Sequence, residues 1–220
     1  MTDSCYWILD YSLEFSSDFH VGAGITLLGG NYHGLHLDAR GFPCIHHTEI
    51  RGLLRLGGQR LLGWDNGFED SYRRNFGRAP TEKELGEKGL WSYTSARFPG
   101  YYSSPYSAEI MGEQSHIKKI DGVAENLFSY QKSGRGKNGE RWFGRIYSLK
   151  TADIEDAAFM FACMRAEDRV GHRRSRGYGK VTWKLEKLRS YSPGGTPSEI
   201  KTSTEDMLRL AVDNNMGRER

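Results

Sequence analysis

Ten consecutive residues, Gly171-His172-Arg173-Arg174-Ser175-Arg176-Gly177-Tyr178-Gly179-Lys180, have the composition of a phosphate cradle. Glycines at 171, 177 and 179 let a backbone approach a phosphate and leave N–H groups free to point at it. Arg173, Arg174 and Arg176 supply forked donors for phosphate oxygens, and Ser175 can donate one more bond. The plain alternative is a mobile basic loop. Placement between a helical pattern and a strand pattern favours a built turn.

A second segment runs from Ile45 to Arg55, IHHTEIRGLLR. Arg51 and Arg55 are four apart, hence on one helical face, beside an N-terminus that Thr48 is expected to cap. Two guanidiniums and a helix N-terminus suit a phosphate, although the same pair also fits the wet side of an amphipathic helix. His20, His33, His36, His46 and His47 crowd into 28 residues beside Cys44. Their spacing matches no standard zinc pattern, so no metal is expected. Acid/base chemistry is open to such a cluster, and stacking on or bonding to RNA is the use expected. Gly134 to Gly139 spells GxGxxG but runs into a strand pattern instead of opening a helix, which excludes a dinucleotide turn. No GxxxxGK[ST] occurs, since Lys180 is followed by Val181.

These segments need elements to hold them. Trp7, Leu9, Tyr11, Leu13 and Phe15 alternate with Tyr6, Ile8, Asp10, Ser12 and Glu14, which predicts a strand with one apolar face. A glycine-rich loop is expected from Val21 to Gly41. Ile50, Leu53, Leu54, Gly57, Leu61 and Leu62 predict a helix over Thr48 to Leu62. Gly52, Gly57 and Gly58 would each weaken that helix by roughly 1 kcal/mol, which implies close approach of another backbone. From Gly63 to Gln131 periodicity is poor, with one short helix signalled by Thr81 and Glu84. Strands are expected near Leu90 to Arg97, Leu127 to Lys132 and Arg141 to Leu149, with Asn138-Gly139 in a turn. Asp153 opens a helix whose stripe is Ile154, Ala157, Ala158, Phe161 and Met164. In the closing strand Val181, Trp183 and Leu185 face one way. A linker from Ser190 and a helix near Thr204 to Asn214 follow.

The resulting order, β-α-β-β-α-β, predicts an α+β, ferredoxin-like (RRM-related) core with a large insertion and a glycine-rich loop before the last strand. Residues 1–189 form this domain, with an inserted lobe at about 64–126, and residues 190–220 a linker and short helix.

Charge supports a polyanionic partner. The net charge is +3, yet Arg165 to Arg189 holds nine Lys/Arg against three acids, and Lys132 to Arg145 five against one. No run approaches the roughly 18 apolar residues of a membrane helix, and the first residues lack the pattern of a signal peptide. Three scattered cysteines without a CxxC fit a reducing cytoplasm.

Taken in order, these segments resemble the RAMP superfamily of CRISPR-associated proteins, and within it the backbone subunits of type III effector complexes, the Csm and Cmr assemblies. Asp18 to Gly24 (DFHVGAG) fits the family's "GLHIG" turn, and Pro43 to Arg55 fits "PYIPGSSLKGALR". Gly171 to Val181 matches "GGRRSRGYGKV" almost letter for letter. Asn75-Phe76-Gly77 resembles "LFG", His116 to Ala124 resembles "H-IDR-TG-A", and Phe143-Gly144 resembles "F-G". The likeness spans roughly residues 6 to 186.

The resemblance implies a guide-RNA (crRNA) backbone subunit that meets target RNA and other effector subunits in antiviral defence. Its RNA-binding residues would be His20, Gly22, Thr48, Arg51, Gly52, Arg55, Arg173, Arg174, Ser175, Arg176, Gly177, Tyr178, Gly179 and Lys180. A thumb that wedges between guide bases would lie within Phe98 to Glu140. Two departures stand out. His46-His47 replaces the family's Pro-Gly. The slicing subunits also carry a catalytic Asp upstream of "IPGSS", where this chain has Tyr32 or His33; Asp38 is the only acid between Val21 and Thr48. A non-cleaving subunit without cofactor is therefore expected. The alternative is an endoribonuclease that slices target RNA with Mg²⁺ or processes guide precursors, with Asp38 or His33 as candidate catalytic residues. A protein–protein adaptor is the third possibility.

Overall fold

The computed structural model describes residues 5–27, 32–78, 85–99, 111–120, 123–133, 141–171, 177–192 and 194–216. Its first half contains β1 (Tyr6–Phe15), β2 (Gly22–Leu27), β3 (Tyr32–Leu35), β4 (Cys44–Ile45), α1 (His47–Trp64), α2 (Glu69–Phe76), β5 (Gly77–Arg78) and β6 (Glu87–Lys88). There follow β7 (Trp91–Tyr93), β8 (Ala96–Arg97), β9 (Met111–Ile120), β10 (Val123–Ser133), β11 (Arg141–Ser148), α3 (Ile154–Ala166), β12 (Val181–Tyr191), β13 (Ser198–Ile200) and α4 (Thr204–Met216).

The main sheet is antiparallel and runs β13-β12-β1-β11-β8-β4, with β7 also on β11. With four α-helices among the described residues, the class is α+β. All five odd-numbered apolar residues of β1 are buried, as a period of two requires. On β12 the alternation Val181, Trp183, Leu185 would next reach Lys187. A bulge at Glu186, where Asp10 pairs Lys187 and Tyr11 pairs Leu185, resets it and turns Leu188 inward.

The predicted stripe on α3 is wider in the structure. Every residue from Asp156 to Met164 is buried, because α1 and α4 both pack on this helix. Gly57 explains itself here: a Cβ would lie 2.2 Å from the Cys163 carbonyl oxygen, so the glycine lets α1 touch the α3 backbone. Helix α4 puts Met207 and Ala211 into the same core.

Three expectations need correction. The stretch from Val21 to Gly41 is no simple loop; it holds β2 and β3, which join β10 and β9 in a second sheet ordered β2-β3-β10-β9. The β2–β3 ladder and the pairing of β3 with β10 outweigh the poor strand propensity of glycine there. Helix α1 starts one residue earlier than expected, and its cap is His46, not Thr48. Helix α2 lies in a stretch with little periodicity, and is fixed by Phe76 packing toward Phe159 of α3. The helix signalled at Thr81 and Glu84 and the Asn138-Gly139 turn lie outside the described residues. No helix among the described residues is long and apolar enough to cross a membrane.

Candidate nucleic-acid interface

The base of the glycine-rich loop is a tight clamp. The Val170 N–H donates to the Gly179 carbonyl at 2.9 Å, and the Gly179 N–H donates to the Asp18 carbonyl at 2.8 Å. Lys180 donates its N–H to Ser17 Oγ at 2.8 Å, and its carbonyl accepts from the Ser16 N–H at 3.0 Å. Gly171, Gly177 and Gly179 have φ of +80°, +85° and +72°, the left-handed region that favours glycine. A Cβ at Gly179 would come within 1.9 Å of the Val170 carbonyl oxygen, so this position excludes a side chain on both counts. Arg173, Arg174, Ser175 and Arg176 lie outside the described residues. Tyr178 is half-buried and Lys180 exposed at the loop's foot.

This clamp brings together segments far apart in sequence. Gly171 lies against the His20 carbonyl, 2.3 Å from where a Cβ would sit. Its N–H donates to Glu49 Oε1 at 3.3 Å, in the first turn of α1. His20 is 5% exposed, so its backbone forms the seat and its ring faces inward. Phe19, fully buried, pins the turn by packing on Phe15 and Trp142. Trp142 donates from Nε1 to the Pro43 carbonyl at 3.0 Å, which ties the entry to α1 to the same aromatic cluster. Gly22 opens β2 opposite Leu35, and the His36 N–H donates to the Val21 carbonyl at 2.8 Å. Sequence reading missed Ser17, Asp18 and Glu49 as the groups that hold the loop. The acid at the third helical position was the available signal.

At the N-terminus of α1, His46 Nδ1 accepts from the Thr48 N–H at 3.4 Å and contacts Thr48 Oγ1 at 2.9 Å. Its ring packs on His47 and His36 at centroid distances of 3.9 and 4.8 Å. The His47 N–H donates to Ser95 Oγ. Thr48, Arg51 and Gly52 are exposed, with nothing within 4 Å of a Cβ built at Gly52. Arg55 donates from Nε to the Tyr72 hydroxyl at 3.1 Å, so of the two predicted guanidiniums Arg51 is the more available. The gathered surface therefore offers a helix N-terminus, a cation and an open backbone position beside a loop base that requires glycine.

Burial, with the charges of His47 and His36, holds the His46 imidazole below its usual pKa. The cap needs the neutral ring. The unfolded chain binds more protons below about pH 6.5, so the stability from His46 is present above that value and is lost as pH falls through the folded pKa. Thermal denaturation between pH 7.5 and 5 should show this slope. His46→Asn should flatten it while keeping a cap, and His46→Ala should cost about 1 kcal/mol at pH 7.5.

Of the two catalytic candidates, Asp38 alone has a described side chain, and it is engaged in its own turn. Asp38 accepts from the Arg40 and Phe42 N–H groups at 2.9 and 3.0 Å and pairs with the Arg40 guanidinium. His33 has its backbone in β3 opposite Thr26 and Tyr130; its side chain is outside the described residues. No group of three His, Cys, Asp or Glu that could hold a metal occurs among the described residues. Burial, aided by Asp38, pushes the Cys44 thiol up to about 11, so it stays protonated near neutral pH.

No family model and no curated protein matches the sequence. Solved structures match its fold. A chain of the type III-B Cmr-beta complex, in a cryo-EM structure of the apo state, superposes with a TM-score of 0.55 at 11% identity, covering 81% of this chain and 97% of that one. In the type III-B Cmr-beta complex bound to cognate target RNA, the corresponding values are 0.56, 10%, 80% and 96%. At this identity the likeness is one of fold. This protein shares its fold with chains of the type III-B Cmr-beta complex, in keeping with the resemblance of its motifs.

Proposed function

We propose that this protein is a guide-RNA-binding backbone subunit of a type III CRISPR ribonucleoprotein, built on a ferredoxin-like core. In chain order β1, β7/β8, β11 and β12 are the four core strands, and their order across the sheet, fourth-first-third-second, supports the ferredoxin-like reading. The observation that supports the function best is the meeting of Gly171, His20 and Glu49, which brings the three motifs together at one place. The hairpin of β9 and β10 falls within Phe98 to Glu140 and serves as the thumb. Target RNA lies on the guide, and neighbouring subunits complete the groove. Mg²⁺ has no role unless RNA is cut.

The test is co-expression with a guide RNA and the other effector subunits, followed by affinity purification. The chain should elute in a multi-subunit particle with RNA of uniform length. A stable, RNA-free monomer that cleaves RNA unaided would overturn the assignment.

A further inference from the structure

One face of the main sheet packs on α1 and α3, and among the described residues no helix covers the other. Over β1 and β12 that second face is closed off electrostatically. Arg145 and Arg189 pair with Asp10, Arg141 with Glu186, and Lys184 with Glu14. Cations committed in this way are poor anchors for a polyanion, because each would have to give up a carboxylate first.

Over β11, β7 and β8 the surface is different. Phe143 and Tyr147 stand out from β11 at 46% and 37% exposure. Beside Phe143 lies a groove of about 430 Å³ whose lining includes Thr94, Ser95, Arg97 and Arg145. Arg97 is the cross-strand partner of Phe143, so both side chains leave the sheet on the same side. Arg97 is exposed and forms no ion pair among the described residues. An aromatic face beside an uncommitted guanidinium suits a nucleobase with its phosphate: the ring stacks, and the guanidinium takes the charge. A purely apolar partner would leave Arg97 desolvated without a counter-charge.

The groove also continues from the interface described above. Ser95, in its wall, accepts the His47 N–H at 3.1 Å at the start of α1.

We propose that this groove is a stacking subsite for an unpaired base of single-stranded RNA, with Phe143 under the base and Arg97 on the adjoining phosphate. The proposal rests on the RNA-binding reading. It is tested by fluorescence anisotropy of the full-length protein with a labelled, unstructured oligoadenylate over a range of salt. Phe143→Ala should weaken binding about 5- to 150-fold at an unchanged salt slope, since a stacked base releases no counterions. Phe143→Trp should restore affinity, and Arg97→Ala should lower the salt slope by about 0.7. If Phe143→Ala binds as wild type does while variants of the glycine-rich loop lose binding, the subsite is wrong and the RNA-binding reading stands. If the wild type binds no RNA, that reading fails and the subsite with it. If Phe143→Ala keeps its RNA affinity but weakens self-association in sedimentation, the face is a protein contact and the subsite is likewise wrong.

Discussion

Replacing Arg173, Arg174 and Arg176 together with alanine should lower RNA affinity on the order of 50-fold at physiological salt, equally for all sequences. Each phosphate contact on a single strand contributes about 0.7 to the slope of log affinity against log salt, so three contacts remove a slope of roughly 2. At about 0.15 M salt that slope amounts to the stated loss. The described part of the loop is its base, and the expectation follows from how that base is held. Gly179 donates to Asp18, Gly171 donates to Glu49, and three glycines hold left-handed φ. The foot of the loop is thereby fixed at the first turn of α1, the helix that carries the exposed Arg51. Anisotropy titrations at several salt concentrations, with circular dichroism to verify the fold, measure both quantities. A folded triple variant with wild-type affinity and slope would remove the loop from the interface.

How much of this could be read in the sequence differs from element to element. Strand β1 declared itself because all five apolar residues of one face are buried while those of the other, Ser12 excepted, are only partly so. Helix α1 was legible for the same reason, but its cap was not. Histidine is an uncommon cap, and Thr48 two positions later carried the stronger local signal. Strands β2 and β3 were hidden by their glycines: among the described residues β2 pairs only with β3, and β3 is held in the sheet by β10, about a hundred residues away. The site divides along the same line. Its chemistry-bearing residues were visible as types and spacings. The groups that position them were not: Asp18 acts through its backbone carbonyl, and Glu49 meets its partner 122 residues away. Long-range contacts of that kind leave no local pattern. Phe143 was noted as part of a strand and of the "F-G" likeness, not as an exposed aromatic surface. Its exposure depends on which face of β11 the helices cover.

The protein is expected not to cleave target RNA in Mg²⁺, and Asp38→Ala is expected to cost stability in place of activity. Metal-assisted cleavage needs a carboxylate free to hold the cation or position the nucleophile, and Mg²⁺ takes oxygen donors. Asp38 is the only acid between Val21 and Thr48, and its side chain is 5% exposed. Both its oxygens are committed: Oδ1 accepts from the N–H groups of Arg40 and Phe42, and Oδ2 from Nε and Nη2 of Arg40. Arg40 in turn donates to the Phe98 carbonyl at 2.8 Å, so the carboxylate organises the turn that leads into β4. Burial pushes this carboxyl up, but the Arg40 and Phe42 donors pull it further down, and it ends below its ordinary pKa. Its contribution to stability is therefore present above about pH 4, and is lost as pH falls through the lower folded value, where the unfolded chain binds more protons. Removing it leaves two backbone N–H groups and a guanidinium without their acceptor, a cost of about 2 kcal/mol. In a chain of this size that should lower Tm by roughly 4–8 °C, and Asp38→Asn, which keeps an acceptor for the N–H groups, should lower it less. The decisive assay incubates a reconstituted complex with labelled target RNA and Mg²⁺ or Mn²⁺. Rapid cleavage at this subunit's position that both Asp38 variants abolish, in complexes that remain assembled, would prove the expectation wrong. Cleavage that survives Asp38→Ala but not His33→Ala would instead assign the chemistry to the histidine of β3.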